Sequence, residues 1–198
     1  MSEAPGSEER SPADPDLAQF LPPPVAEWLQ AQLLDHYGVR VEGPPGSGKT
    51  GLLAALAGTL SEFTRLAVLL EHGQRRPGYL DDHPTALVLL VPELHVRDGV
   101  QDLTHLLARQ MCDVVIADHV SAETVELLHD DSMAGIRVWA AEAEPIAFPD
   151  TTLGIRLGLD PRHRVENIVA VRTQEQREQR EPAEPVYWIE NGQYRFRP

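Results

Sequence analysis

Residues 43–50 read Gly-Pro-Pro-Gly-Ser-Gly-Lys-Thr and satisfy the pattern G-x-x-x-x-G-K-[ST]. Gly43, Pro44, Pro45, Gly46, Ser47, Gly48, Lys49 and Thr50 together make the expected cradle for a nucleotide. The glycines let the backbone curl so that successive N–H groups point inward at phosphate oxygens. A helix that follows adds its positive N-terminal dipole. Lys49 would reach the β and γ phosphates, and the Thr50 hydroxyl would ligate Mg²⁺. The expected ligands are therefore ATP and Mg²⁺. The chain has 16 arginines but a single lysine, and that lysine is Lys49. A compact ammonium on a flexible stem fits inside such a loop; a planar guanidinium is bulkier and hydrogen-bonds differently.

A site of this kind also needs an acid at the end of a neighbouring strand. Val114-Val115-Ile116-Ala117-Asp118 supplies four apolar residues closing on an aspartate, which would hold Mg²⁺ through water. The alternative role for Asp118 is a helix cap or loop charge. Hydrolytic sites usually place a glutamate next, to orient the attacking water; here the residue is His119, either a proton acceptor as neutral imidazole or a bystander. Glu71 closes the strand after the loop's helix. Ligands of open parallel sheets sit beyond the carboxyl ends of the strands, so Glu71 and Asp118 would share one crevice, each as general base or metal ligand. The remaining histidines (His36, His72, His83, His95, His105, His129 and His163) form no HExxH or paired spacing, and no zinc site is expected.

The elements that must position these groups follow from apolar periodicity. Val25, Trp28, Leu29, Leu33 and Leu34 recur at helical spacing after Pro22–Pro24, and Gly38 is expected to end that helix. Val39–Glu42 reads as a strand, then the glycine turn, then a helix through Leu52, Leu53, Leu56, Ala57 and Leu60. Leu66–Leu70 and Ala86–Val91 are continuous apolar strands, with His72–Pro84 expected as an exposed loop between them. Leu103, Leu106, Leu107 and Met111 mark a helix, Val114–Ala117 a buried strand, Ala122–Asp131 a helix and Arg137–Ala141 a strand. This alternation predicts an α/β fold with a mainly parallel sheet and helices on both faces. Thr152–Leu159, Val165–Arg172 and Val186–Phe196 read as short strands, the last turning at Asn191-Gly192. The organisation expected is an acidic disordered tail over 1–16, a nucleotide-binding core over 17–150 and a small β-rich C-terminal extension over 151–198. The run Gln174–Glu184 alternates charge and suits a solvated surface.

Composition narrows the partners. The net charge of −14 disfavours nucleic acid, which needs a local excess of Lys and Arg. No stretch approaches the roughly 18–20 apolar residues of a spanning helix, and the acidic N-terminus is not a secretory signal. Cys112 is the only cysteine, so no intrachain disulfide can form, which fits a reducing cytoplasm.

These stretches resemble the ATPases of type II and type IV secretion systems, including the pilus extension and retraction motors. The likeness runs from about Leu17 to Pro198. Val39–Thr50 matches the family's strand and Walker A loop, and Arg65–Glu71 the strand leading into its aspartate box, with Glu71 on the glutamate and His72 where an aspartate is usual. Leu103–Ala117 is similar to the helix and Walker B strand, with Arg109 and Asp113 on familiar residues; the usual Gly-Glu pair becomes Asp118-His119. Glu123-Thr124 matches a following Glu-Thr. Gly135 falls on the glycine of a Thr-Gly-His turn whose histidine is Ile136, and Ala143 replaces the histidine of the family's histidine box. The family's large N-terminal domain is expected to be absent, since fewer than 40 residues precede Val39. Arg75 and Arg76 are the candidates for the arginines that family members aim at the γ-phosphate, with surface arginines as the plainer alternative.

The resemblance implies a RecA-like fold and an Mg·ATP-binding subunit with weakened hydrolysis. It also implies assembly into a homo-oligomeric ring, contact with an inner-membrane platform protein, and a cytoplasmic location peripheral to that membrane. A non-catalytic nucleotide-binding regulator or assembly protein is the alternative, and a nucleotide kinase a third.

Overall fold

Pro23 and Pro24 fall in the first turn of α1 (Pro23–Leu34), where their fixed φ suits helix entry and no intrahelical N–H is lost. Val25, Leu29 and Leu33, four residues apart, line the helix face that is buried. The computed structural model describes residues 16–34, 38–71, 76–91, 103, 105–118, 128, 136–142, 152–159, 165–169 and 185–197. The strands are β1 (Gly38–Glu42), β2 (Leu66–Glu71), β3 (Leu87–Val91), β4 (Val114–Asp118), β5 (Arg137–Glu142), β6 (Thr152–Leu157), β7 (Val165–Val169), β8 (Pro185–Glu190) and β9 (Gln193–Phe196), and α2 spans Lys49–Ala57.

Among the described residues nine strands join one sheet in the order β3-β2-β4-β5-β1-β6-β7-β8-β9. Pairings from β3 through β6 are parallel, and those from β6 through β9 are antiparallel. The mixed α/β fold with a mostly parallel central sheet is the one expected, and it is consistent with a RecA-like arrangement. α1 and α2 cover one face, packing Leu29, Leu52, Leu53 and Leu56 on Val39, Val68, Ile116 and Trp139. On the opposite face Leu103, Leu107 and Leu128 pack with Ala67, Leu69, Val115 and Ala140. Two covered faces explain why β2 and β4 read as unbroken apolar runs. Among the described residues no helix is long and apolar enough to cross a membrane.

Three expectations change. Gly38 opens β1, one residue ahead of the expected strand; α1 is described through Leu34, and residues 35–37 lie outside the described residues. The stretch read as an exposed loop contains a 3-10 turn, Gly78–Asp81, that buries Tyr79 and Leu80 against the α2 face of the core; His83 is buried as well. Met111 does not join the apolar helix face: helical geometry covers 105–109, and Met111 takes φ 50° and is 63% exposed. The expected helix over Ala122–Asp131 lies outside the described residues save Leu128, which is helical and buried; residues 1–15 and the charge run 174–184 lie outside them too.

The end of the sheet away from the strands' carboxyl ends is tied by side chains. Arg65 donates from Nε and Nη2 to the two carboxylate oxygens of Asp113 (3.2 and 2.8 Å), and its backbone N–H donates to Asp113 Oδ2 (2.9 Å). Arg137 Nη1 donates to the Leu33 carbonyl at 2.7 Å, satisfying a C-terminal carbonyl of α1.

Candidate functional site

The loop between β1 and α2 turns on its glycines. Gly46 and Gly48 have φ of 80° and 93°, in the left-handed region that L side chains adopt at a cost. Gly43 has φ 156°, and a Cβ there would come within 2.7 Å of both the Leu157 carbonyl oxygen and Ser47 Oγ. The loop can therefore close down only with glycine at 43. Ser47 N–H donates to the Pro44 carbonyl (3.2 Å), and Gly48 is the N-cap of α2. Ser47 is buried, and its Oγ has no hydrogen-bond partner among the described residues. Lys49, the first residue of α2, bends back: its Nζ donates to the carbonyls of Gly43 (2.7 Å) and Pro44 (3.1 Å). Thr50 follows and is exposed, as are Pro44, Pro45 and Gly46.

Asp118 ends β4, buried at 8% exposure. β5 lies between β4 and β1, and the register Val41–Ala141–Asp118 crosses all three strands. Residues in register share a face, so Asp118 lies on the face that carries α2. Two strand spacings separate the β1 and β4 backbones there, about 10 Å. Glu71 ends β2, which pairs directly with β4, and stands in register with Val91. The carboxyl ends of β1, β2 and β4 thus lie at one end of the sheet with the glycine loop. Glu71, however, alternates with Leu70 and falls by register with Leu69 and Ala117, on the face opposite Asp118. The single crevice expected for the two acids is not formed by register.

No protein-family model matches the chain, and no curated protein does. Solved structures match it. The Legionella pneumophila ATPase DotB aligns at TM-score 0.57 and 19% identity over 84% of this chain and 53% of that one. The VirB11 ATPase of the Brucella suis type IV secretion system, in complex with sulphate, aligns at TM-score 0.51 and 15% identity over 68% and 48%. The chain has the fold of the secretion ATPases. The pilus retraction motor PilT with bound ADP also matches, at TM-score 0.47 and 16% identity over 73% and 49%. The chain spans about half the length of these structures.

Within this secretion-ATPase fold the other sequence candidates divide. His119, Arg75, Glu123, Thr124, Gly135 and Ala143 lie outside the described residues. Arg76 is engaged locally, donating to the Leu80 carbonyl (3.4 Å) with Asp81 nearby (3.7 Å). Asp113, placed by the resemblance on a familiar residue, is bound to Arg65 at the opposite end of the strands.

Sequence reasoning missed Glu42. It is the last residue of β1, immediately before Gly43, and stands in register with Glu142 on one side and Arg156 on the other. Its carboxylate lies 2.9 Å from Nε of the buried Arg40 and 3.6 Å from Arg156 Nη2. The available signal was the alternation Val39-Arg40-Val41-Glu42, which puts an arginine and a glutamate on one face of the strand entering the glycine loop.

Proposed function

We propose that this chain is a Mg·ATP-binding, ATPase-type subunit of a type II or type IV secretion or pilus machine. Residues 17–150 would serve as its nucleotide-binding core and residues 151–198 as a β-rich extension. One juxtaposition carries the proposal: Lys49, in a glycine loop at the start of α2, and Asp118, at the end of β4, on the same face and edge of the sheet. The fold shared with DotB and VirB11 supports the same general function.

ATP phosphates would take the cradle of residues 43–50. The buried, unpartnered hydroxyl of Ser47 and the absence of room for a side chain at Gly43 suit such a ligand. Lys49 would exchange the Gly43 and Pro44 carbonyls for β- and γ-phosphate oxygens. Mg²⁺ would be held by Thr50 and, through water, by Asp118; when bound it neutralises charge on the transferring phosphoryl group. Glu71, at the same end of the sheet but on the other face by register, is the weaker candidate for general base or further metal ligand. His119, in place of a glutamate, weakens turnover, since losing a group that acts on the transition state costs on the order of 10²–10³ in rate. A ring of identical subunits, an inner-membrane platform protein as partner, and a cytoplasmic location at that membrane complete the proposal.

The Asp118-His119 pair also favours a second reading, a nucleotide-binding regulator that hydrolyses little. Calorimetry with Mg·ATP, phosphate release, and solution mass with and without nucleotide test both. Binding that Lys49→Ala abolishes supports the nucleotide site, and no binding by the wild type refutes it. Steady turnover in a larger assembly, lost in Asp118→Asn or Glu71→Gln, supports the motor. Binding by an inactive monomer supports the regulator.

A further inference from the structure

Two consecutive residues of β6 meet two consecutive residues at the mouth of the glycine loop. Arg156 lies 3.6 Å from the Glu42 carboxylate, and the next residue, Leu157, sets its carbonyl and Cβ against Gly43, leaving no room for a side chain there. The pairing of β6 with β7 shifts register between these same two residues, from Arg156–Asn167 to Leu157–Val165. Such irregularities re-aim a strand and concentrate next to functional sites. From the other side Arg40, buried between its register partners Ala140 and Gly154, holds the second Glu42 oxygen at 2.9 Å. Its Nε–H is not aimed at that oxygen, so the contact is ionic. Arg40 and Arg156 thus hold the Glu42 carboxylate from two sides.

We infer that Arg156, acting through Glu42, is a positioning residue for nucleotide binding: the ion pair fixes the point at which the chain leaves β1, and with it the Gly43 carbonyl that receives Lys49. This rests on the proposed nucleotide site and adds to it a determinant that touches no ligand. Pre-setting the loop lowers the ordering cost of binding. Arg156 is 56% exposed on its side chain, so the effect is that of a partly screened pair.

The test is ADP affinity by calorimetry for wild type, Arg156→Gln, Arg156→Lys and Glu42→Gln, at low and high salt, with thermal unfolding of each without nucleotide. Arg156→Gln is expected to weaken ADP binding about three- to fivefold, the equivalent of a screened pair. Arg156→Lys, which keeps the charge, is expected to recover most of that loss. Raising salt should bring wild type toward Arg156→Gln. Glu42→Gln removes the carboxylate 2.9 Å from the buried Arg40 and should lower the melting temperature as well. Unchanged affinity in Arg156→Gln, or Arg156→Lys no better than Arg156→Gln, overturns the inference while leaving the nucleotide site standing. A wild type that binds no nucleotide overturns both.

Discussion

Lys49 Nζ donates a 2.7 Å hydrogen bond to the carbonyl of Gly43, at the opposite end of the loop that the lysine closes. With the second bond to Pro44 it holds the loop shut through the protein's own carbonyls. A phosphate must compete for the ammonium against these two acceptors. Hydrogen bonds to charged groups contribute about 1.5–3 kcal/mol each. Lys49→Ala is therefore expected to weaken nucleotide binding at least tenfold by calorimetry, and Lys49→Arg to fail to restore it because a planar guanidinium does not fit the same turn.

The glycines of the loop are expected to differ in their response to alanine. At Gly46, with φ 80° and open space around a Cβ, the cost is conformational alone, about 1–2 kcal/mol. At Gly43 a methyl group meets the Leu157 carbonyl and Ser47 Oγ, both at 2.7 Å, and backbone must move. Gly43→Ala should thus lose more stability than Gly46→Ala in urea unfolding, and its nucleotide affinity with it.

Acidification should weaken the tie at the other end of the sheet. Hydrogen bonding from the Arg65 guanidinium holds the Asp113 carboxyl below its usual range, against a smaller opposing effect of burial. A carboxyl depressed in the folded state contributes stability above the unfolded value of about 3.9, and that stability is lost as pH falls through the folded value. The urea midpoint of wild type should therefore decline below about pH 4 more steeply than that of Asp113→Asn. Equal slopes would show that the pair does nothing for stability.

Cys112 is buried and not disulfide-bonded, and burial pushes its thiol up, with the Asp113 carboxylate adding in the same direction. At neutral pH it stays protonated and shielded. A disulfide-exchange reagent such as Ellman's should react slowly with the folded protein and fully in denaturant. Fast native reaction would contradict the burial.

How legible this structure was in its sequence depended on how local each determinant is. β2 and β4 could be read because strands covered on both faces carry unbroken apolar runs. Asn191-Gly192 could be read because a two-residue hairpin needs two positive φ values, here 53° and 74°. The glycine loop, Lys49 and the strand-ending Asp118 belong to the same class. Tyr79 and Leu80 were hidden inside a polar stretch rich in Gly and Pro, because only the tertiary structure brings a 3-10 turn against α2. Met111 continues the apolar spacing, yet its N–H bonds the Ala108 carbonyl and its backbone enters the left-handed conformation that closes helices. The contact of Glu42 with Arg156 depends on the register of two strands far apart in sequence, which no local pattern specifies.

The lysine that closes the loop is also the molecule's single side-chain amine. Acylation therefore has one side chain to find, and finding it would erase the charge that the loop carbonyls hold. Apart from the α-amine of the chain, an amine-directed label reports this site: its rate of attachment to Lys49, with and without nucleotide, would read occupancy with no other lysine in the background.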